Sequence, residues 1–357
     1  MWKWWLGILG VFALLSLNVF FSLSPAVGLY GLVKLLEFVF FGWYVASHSM
    51  QVVDFLSVAF PIGILVESSL AVWQFILQHS VGGLWYFLGE RMFSSSTPGI
   101  ANASINGQLI LRPYATFPHP NVLAGYLLLA VLFMGFSFSS QKDFRKIAYI
   151  ALMVFGAIGL LISLSRTAII LGVLTCIFFG IKKLRQIKNA PRAVFFFGIG
   201  CVGFFTAVLF LLPRFIGANA FGESFILREQ LLAAGWTMFV AHPLFGVGIN
   251  NFFVVLPFVS STMITIQPVH NIYLLILSQT GIIGFLLFCY FLFKTLYRCA
   301  FSTFDRGLGD NIRKFVLIFL FLFLSIGVVD HYFLTLQSGQ LLTTLIFGLA
   351  WSSPVLE

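Results

Sequence analysis

The chain has 357 residues, of which 60% are hydrophobic and 9% charged, with 45 phenylalanines and a net charge of +9. A soluble domain carries about 25% charged residues, so this much apolar surface cannot be hidden in one globule, and lipid must be its solvent. These figures exclude a water-soluble enzyme.

Apolar runs of about 17–25 residues predict spans near 4–22, 27–47, 54–77, 121–138, 145–163, 167–181, 193–212, 270–293, 313–329 and 335–351. Leu, Ile, Val and Phe occur all round each run, as in lipid-embedded helices; a β-barrel would alternate in short segments. The expected fold is therefore all-α, a polytopic transmembrane bundle of about ten spans, forming one integral-membrane domain over 1–357. The opening MWKWWLGILGVFALL resembles a signal peptide, but no clean small-x-small site follows and further spans do, so a retained first helix is expected. Cys176, Cys201, Cys289 and Cys299 fall in or beside spans without metal or disulfide spacing and read as packing residues.

With the N-terminus in the cytoplasm, the cytoplasmic segments hold Lys3, the Lys142–Lys146 group, the Lys182–Arg192 group, and Lys294, Arg298, Arg306, Arg313 and Lys314. The opposite side holds Arg91, Arg112, Arg166, Arg214 and Arg228. This asymmetry follows the positive-inside rule. It turns the net charge into a topology signal, and no nucleic-acid partner is expected.

Glu67 lies inside the third span, as a pathway residue or paired with a donor elsewhere. Two long loops follow on the extracytoplasmic side. The first, 78–120, holds the amphipathic LWYFLGERMF and then LRPYATFPHPNVLAGYL, where His119 between two prolines reads as a rigid turn or a site residue. Arg166, in LLISLSRTAIILG, falls at the turn of a helical hairpin. It either snorkels or holds an anion, since a guanidinium offers a fixed fork of donors matched to phosphate oxygens.

The second loop, 213–269, opens with a helix over 224–240, with apolar positions at Ile226, Leu227, Leu231, Ala234, Met238 and Phe239. This helix would lie on the membrane surface or pack on the bundle. Arg228 sits in its first turns, again as a snorkelling residue or an anion ligand. His242-Pro243 stops the helix, and the turn at Gly246-Val247-Gly248 could cradle an anion on its N–H groups.

The stretch IQPVHN then delivers His270 to the mouth of a span, with Asn271 placed to orient the ring. A histidine there serves the helix start or takes a proton from a hydroxyl. Asp330-His331 caps a late span or helps place an acceptor. The external side has no carboxylates or histidines at ligand spacing, so no metal is expected.

The stretches TFPHPNVLAGYLLLA (116–130), SLSRTA (163–168), REQLLAAGWTMFVAHPLFGVGINNF (228–252), VHNIYLLILSQTGIIGFLLF (269–288) and DHYFLTLQSGQLL (330–342) occur in an order that resembles the O-antigen ligase and polysaccharide polymerase family of bacterial inner-membrane glycosyltransferases. The resemblance implies transfer of a glycan from an undecaprenyl-diphosphate carrier to an acceptor hydroxyl on the periplasmic face, without cofactor. It implies His270 as the catalytic base, and Arg166 and Arg228 as ligands of the diphosphate. Asn271, Asp330, His331, His119 and Asn121 are then candidates for the acceptor side.

The acceptor would be a lipid-core sugar, a growing polymer or a protein hydroxyl. A flippase gripping the same diphosphate is the reading from another class, opposed by polar residues that gather on one face. A peptidoglycan-building glycosyltransferase would need an extracytoplasmic aspartate that the large loops lack. Members of the family usually carry further spans before the region matching 1–25, so the chain reads as a shortened member or an incomplete product.

Overall fold

A computed structural model describes residues 2–105, 107–138, 143–184, 223–260, 267–301 and 309–352. In chain order the helices are α1 Trp2–Phe20, α2 Pro25–Ser47, α3 Ser49–Leu77, α4 Leu84–Phe87, α5 Pro120–Ser137, α6 Asp143–Ile162, α7 Arg166–Leu184, α8 Glu223–Ala241, α9 Phe252–Val259, α10 Ile272–Phe301, α11 Gly309–Gly327, α12 Tyr332–Thr335 and α13 Gln337–Ala350. Each expected span within the described residues has a helix at its place, while 193–212 lies outside them. Among the described residues, five helical stretches are long and apolar enough to cross a bilayer: Pro25–Ser47, Ser49–Leu77, Pro120–Ser137, Arg145–Ile162 and Ile272–Phe301. This is a helical membrane protein.

The chain divides into two compact units. One comprises Met1–Asp54 with Glu223–Glu357, the other Phe55–Gly222.

In the first unit, helices approach through small residues, the usual device where lipid supplies no hydrophobic drive for association. A Cβ on Gly348 of α13 would meet Val45 of α2, and one on Gly235 of α8 would meet Leu274 of α10. Leu231, Ala234 and Met238 of α8 are buried against Phe252, Leu256, Val269 and Leu275. The loop helix thus packs on its own unit through these three positions, whereas Ile226, expected on the same stripe, is exposed. Helix α8 ends at Ala241, as His242-Pro243 predicts.

The following turn differs from its expectation. Gly246 N–H donates to His242, Val247 N–H to Ser278 and Gly248 N–H to Gln279. The donors proposed to cradle an anion are all used by protein carbonyls. Asn18 of α1 tightens the junction by donating to the Phe245 and Gln279 carbonyls and accepting from Ile249 N–H at 2.7 Å.

The second unit carries the first long loop. Strands β1 Asn102–Ile105 and β2 Gln108–Leu111 form an antiparallel hairpin, with Asn102 opposite Leu111. Buried amides and carboxylates of and near α3 hold the loop. Gln74 Oε1 accepts from Tyr114 and Ala115 N–H and its Nε2 donates to Glu90, whose carboxylate accepts from Val81 and Gly82 N–H. Glu67 accepts from the Thr116 hydroxyl at 2.7 Å and its N–H at 3.1 Å. Of the two readings of Glu67, the paired one fits. The amphipathic stretch condenses to the short α4, whose Leu84 and Phe87 are exposed and suit the bilayer interface.

Candidate functional site

His270 stands just before α10, in the described stretch that begins at Gln267. Pro268 and Val269 are buried, which fixes the approach. Asn271 Oδ1 accepts from Leu274 N–H at 2.9 Å, an N-cap, and its Nδ2 donates to the Val328 carbonyl at 3.1 Å. The Asn271 amide is therefore spent on the helix start and on the segment after α11. Gln267 is the residue on the ring, with its Oε1 3.2 Å from His270 Nε2. Sequence reading missed it, although a polar side chain three residues before the histidine was in the quoted stretch.

The other edge of the ring faces the α11–α12 junction. His270 Nδ1 lies 4.0 Å from Asp330 Oδ1, too long for a hydrogen bond and close enough for charge to act. The His331 ring is 4.8 Å from the His270 ring, centroid to centroid. Asp330 Oδ1 accepts from His331 N–H at 2.8 Å, and His331 Nδ1 meets the Thr335 hydroxyl at 2.5 Å. That hydroxyl also lies within reach of the His331 carbonyl at 3.1 Å.

Burial lowers the pKa of His270 to about 4; Asp330 opposes this, while His331 and Arg228 add to it. His331 is likewise lowered, first by burial and then by Arg228, against Asp330. Burial thus favours the uncharged form of both rings, with Asp330 and Arg228 acting on them in opposite directions.

The fold thus assembles a cluster that sequence spacing did not show. One donor atom each from His270, Asp330 and His331 lies within 4.8 Å of the others, a set that could ligate a cation. The expectation of no such grouping fails because the two halves are about sixty residues apart in sequence. Arg228, half-buried on α8, adds a positive charge that works against a cation there.

Arg166, His119 and Asn121 belong to the second unit. Arg166 is the first residue of α7, half-buried at the α6–α7 turn where the hairpin reading put it. His119 caps α5: its Nδ1 accepts from Asn121 N–H at 3.1 Å, with Pro120 following at the first turn. This is the rigid-turn reading. Asn121 Oδ1 accepts from Arg112 at 2.6 Å, a buried arginine that the sequence reading used only to count charge.

A family model described as O-antigen ligase matches residues 151–289. Residues 151–289 are O-antigen ligase-like. The matched segment contains Arg166, Arg228, Gln267 and His270 and stops short of Asp330. A general O-oligosaccharyltransferase of Acinetobacter baylyi is 35% identical over 126 residues, 34% of this chain. The match spans about a fifth of that relative's length. The O-antigen ligase-like segment thus carries both arginines and the histidine to which the resemblance gives roles, and glycosyltransferase-type activity is what its relatives suggest.

Proposed function

We propose that the protein is a glycosyltransferase that moves a glycan from an undecaprenyl-diphosphate carrier to an acceptor hydroxyl at the extracytoplasmic face of the bacterial inner membrane. It would do so as one integral-membrane domain of about ten spans with a cytoplasmic N-terminus. The observation that carries this reading is the setting of His270: one ring nitrogen faces Asp330, the other Gln267, and an arginine acts on the same ring.

In the resting contact Nε2–H donates to Gln267 Oε1; in the proposed step the ring takes its other tautomer, with the proton on Nδ1 toward Asp330 and the lone pair on Nε2. The acceptor hydroxyl takes the place of the Gln267 oxygen at Nε2 and loses its proton there. Its oxygen forms a bond to the anomeric carbon as the bond from that carbon to the carrier's phosphate oxygen breaks. The electron pair leaves with the diphosphate, and the anomeric configuration inverts. Asp330 stabilises the imidazolium, in the manner of an aspartate behind a catalytic histidine.

Arg228 and Arg166 are each assigned diphosphate oxygens, offsetting the charge that grows on the leaving group. The same charge arithmetic links donor binding to base strength. A diphosphate on Arg228 cancels one of the influences that lower His270, so the ring becomes a better base when the donor is present.

The test is transfer of a lipid-linked glycan in membranes carrying wild type or His270→Ala at equal expression. Loss of about 10²–10⁴-fold in the variant supports the reading, and a ladder of products rather than one band identifies a polymerase. Transfer unchanged by His270→Ala sinks it. Glycan that crosses the membrane without product formation supports the flippase instead.

A further inference from the structure

Arg112 is 8% exposed, at the end of the β2 strand of a membrane protein. A buried guanidinium is costly unless its donors are matched, so what it holds is informative. Its Nε donates to the Ser163 carbonyl at 2.9 Å and its Nη2 to Asn121 Oδ1 at 2.6 Å. The first partner belongs to the three-residue turn that ends at Arg166, the second to the first turn of α5.

That turn is built to be held. Ser163, Leu164 and Ser165 are all buried, and Leu164 takes φ +54, a left-handed conformation that a leucine adopts only under surrounding constraint. Ser163 Oγ donates to the Leu160 carbonyl and accepts from Ser165 N–H, while the Ser165 carbonyl accepts from Ile169 N–H and opens α7. Arg112 is itself fixed from behind. Its N–H donates to Ala101 across the hairpin, and Gln78 Oε1 accepts from the N–H of neighbouring Leu111.

From this geometry we infer that Arg112 is the positioning residue of Arg166. It clamps the Ser163–Ser165 turn to the start of α5, and so sets the point and direction from which the Arg166 side chain leaves α7 toward a diphosphate. The inference rests on the role proposed above for Arg166. Arg112 acts through Arg166 and touches no substrate. Positioning of this kind acts on affinity for the diphosphate, whereas a brace for the fold alone would change stability and leave that affinity intact.

The experiment is a double-mutant cycle on the full chain in detergent micelles, read as binding of undecaprenyl diphosphate alone, with undecaprenyl phosphate as the comparison. Arg166→Lys should weaken diphosphate binding by ~10-fold or more, because the charge stays and the fork is lost. Arg112→Lys should weaken it by a similar factor and narrow the preference for diphosphate over monophosphate. The double variant should bind no more than about twofold worse than Arg166→Lys, since two residues acting as one unit do not add.

Multiplying losses, or Arg112→Lys binding as wild type, would overturn the inference. Wild-type binding by Arg166→Lys would instead overturn the role of Arg166 itself, a separate failure. Should Arg112→Lys fail to fold, Asn121→Ala runs the same cycle, because it removes one partner of the guanidinium without changing charge.

Discussion

At His270, burial, His331 and Arg228 all oppose a charged ring, and Asp330 alone favours it. Asp330→Asn removes that one favourable influence. The ring then falls further below its already low value of about 4 and becomes a weaker base for the acceptor proton. The expected result is a kcat lowered by about 10-fold or more, with the acid limb of the rate profile moved to lower pH. A limb that stays where it is would show that Asp330 does not act on this ring. Donor binding works in the other direction. With diphosphate on Arg228, the limb in kcat, which reports the complex, should lie at higher pH than the limb in kcat/KM, which reports the free protein. Coincident limbs would mean that Arg228 does not meet the donor's charge. The histidine could be singled out as a candidate in the sequence because VHN opens an apolar run on the side expected to carry the arginines. Its neighbours were legible only as candidates, since Asp330 and His331 reach it by the return of the chain through α11, a contact no local spacing encodes. Asn271 was read as orienting the ring for its adjacency alone, but at a helix start an asparagine is claimed first by the backbone.

Among the elements, α10 is interrupted at Gly281, where φ is 63 and ψ is −169, a conformation only glycine takes readily. The break lets the segment after α8 pack into the helix. A Cβ on Gly281 would strike the Leu244 backbone, and one on Gly246 would strike the Gln279–Thr280 backbone. Ile282 N–H donates to Pro243 and Ile283 N–H to Leu244, which repairs the ladder at the break. Gly281→Ala should therefore cost about 1–3 kcal/mol in backbone strain alone, with the collision added. Thermal unfolding of the detergent-solubilised protein should come at a clearly lower temperature. An unchanged midpoint would mean that the break relaxes freely. The extent of α8 was readable because a 3.6-residue apolar period and His242-Pro243 are both local signals. The role of the turn after it was misread for the complementary reason: the N–H groups of Val247 and Gly248 find carbonyls some thirty residues further on, and that of Gly246 finds the His242 carbonyl behind it.

For the molecule as a whole, the proposed sidedness rests on where basic residues fall, because the bilayer penalises translocating short basic loops. The long loop that carries Ser96 has its polar groups tied back by Gln74, Gln78 and Glu90, and presents Leu84 and Phe87 to its surroundings. It suits an interface, and it also carries the hairpin from which Arg112 reaches the α6–α7 turn. The sequence before α11 holds Arg306, and the first turns of α11 hold Arg313 and Lys314; Lys314 pairs with Asp310 at 3.4 Å. Two exposed positions, Ser96 in the long loop and Asn311 in the first turn of α11, thus give opposite answers under the proposed topology. In a chain whose four native cysteines are replaced, Ser96→Cys should react with a membrane-impermeant maleimide in cells whose outer membrane is permeabilised. Asn311→Cys should react only once the inner membrane is broken. Labelling of both from outside would leave an odd number of crossings between them unsupported and would remove the sidedness argument for the site. The reverse pattern would put Arg166, Arg228 and His270 on the cytoplasmic face, where a carrier already loaded and flipped outward could not be the donor.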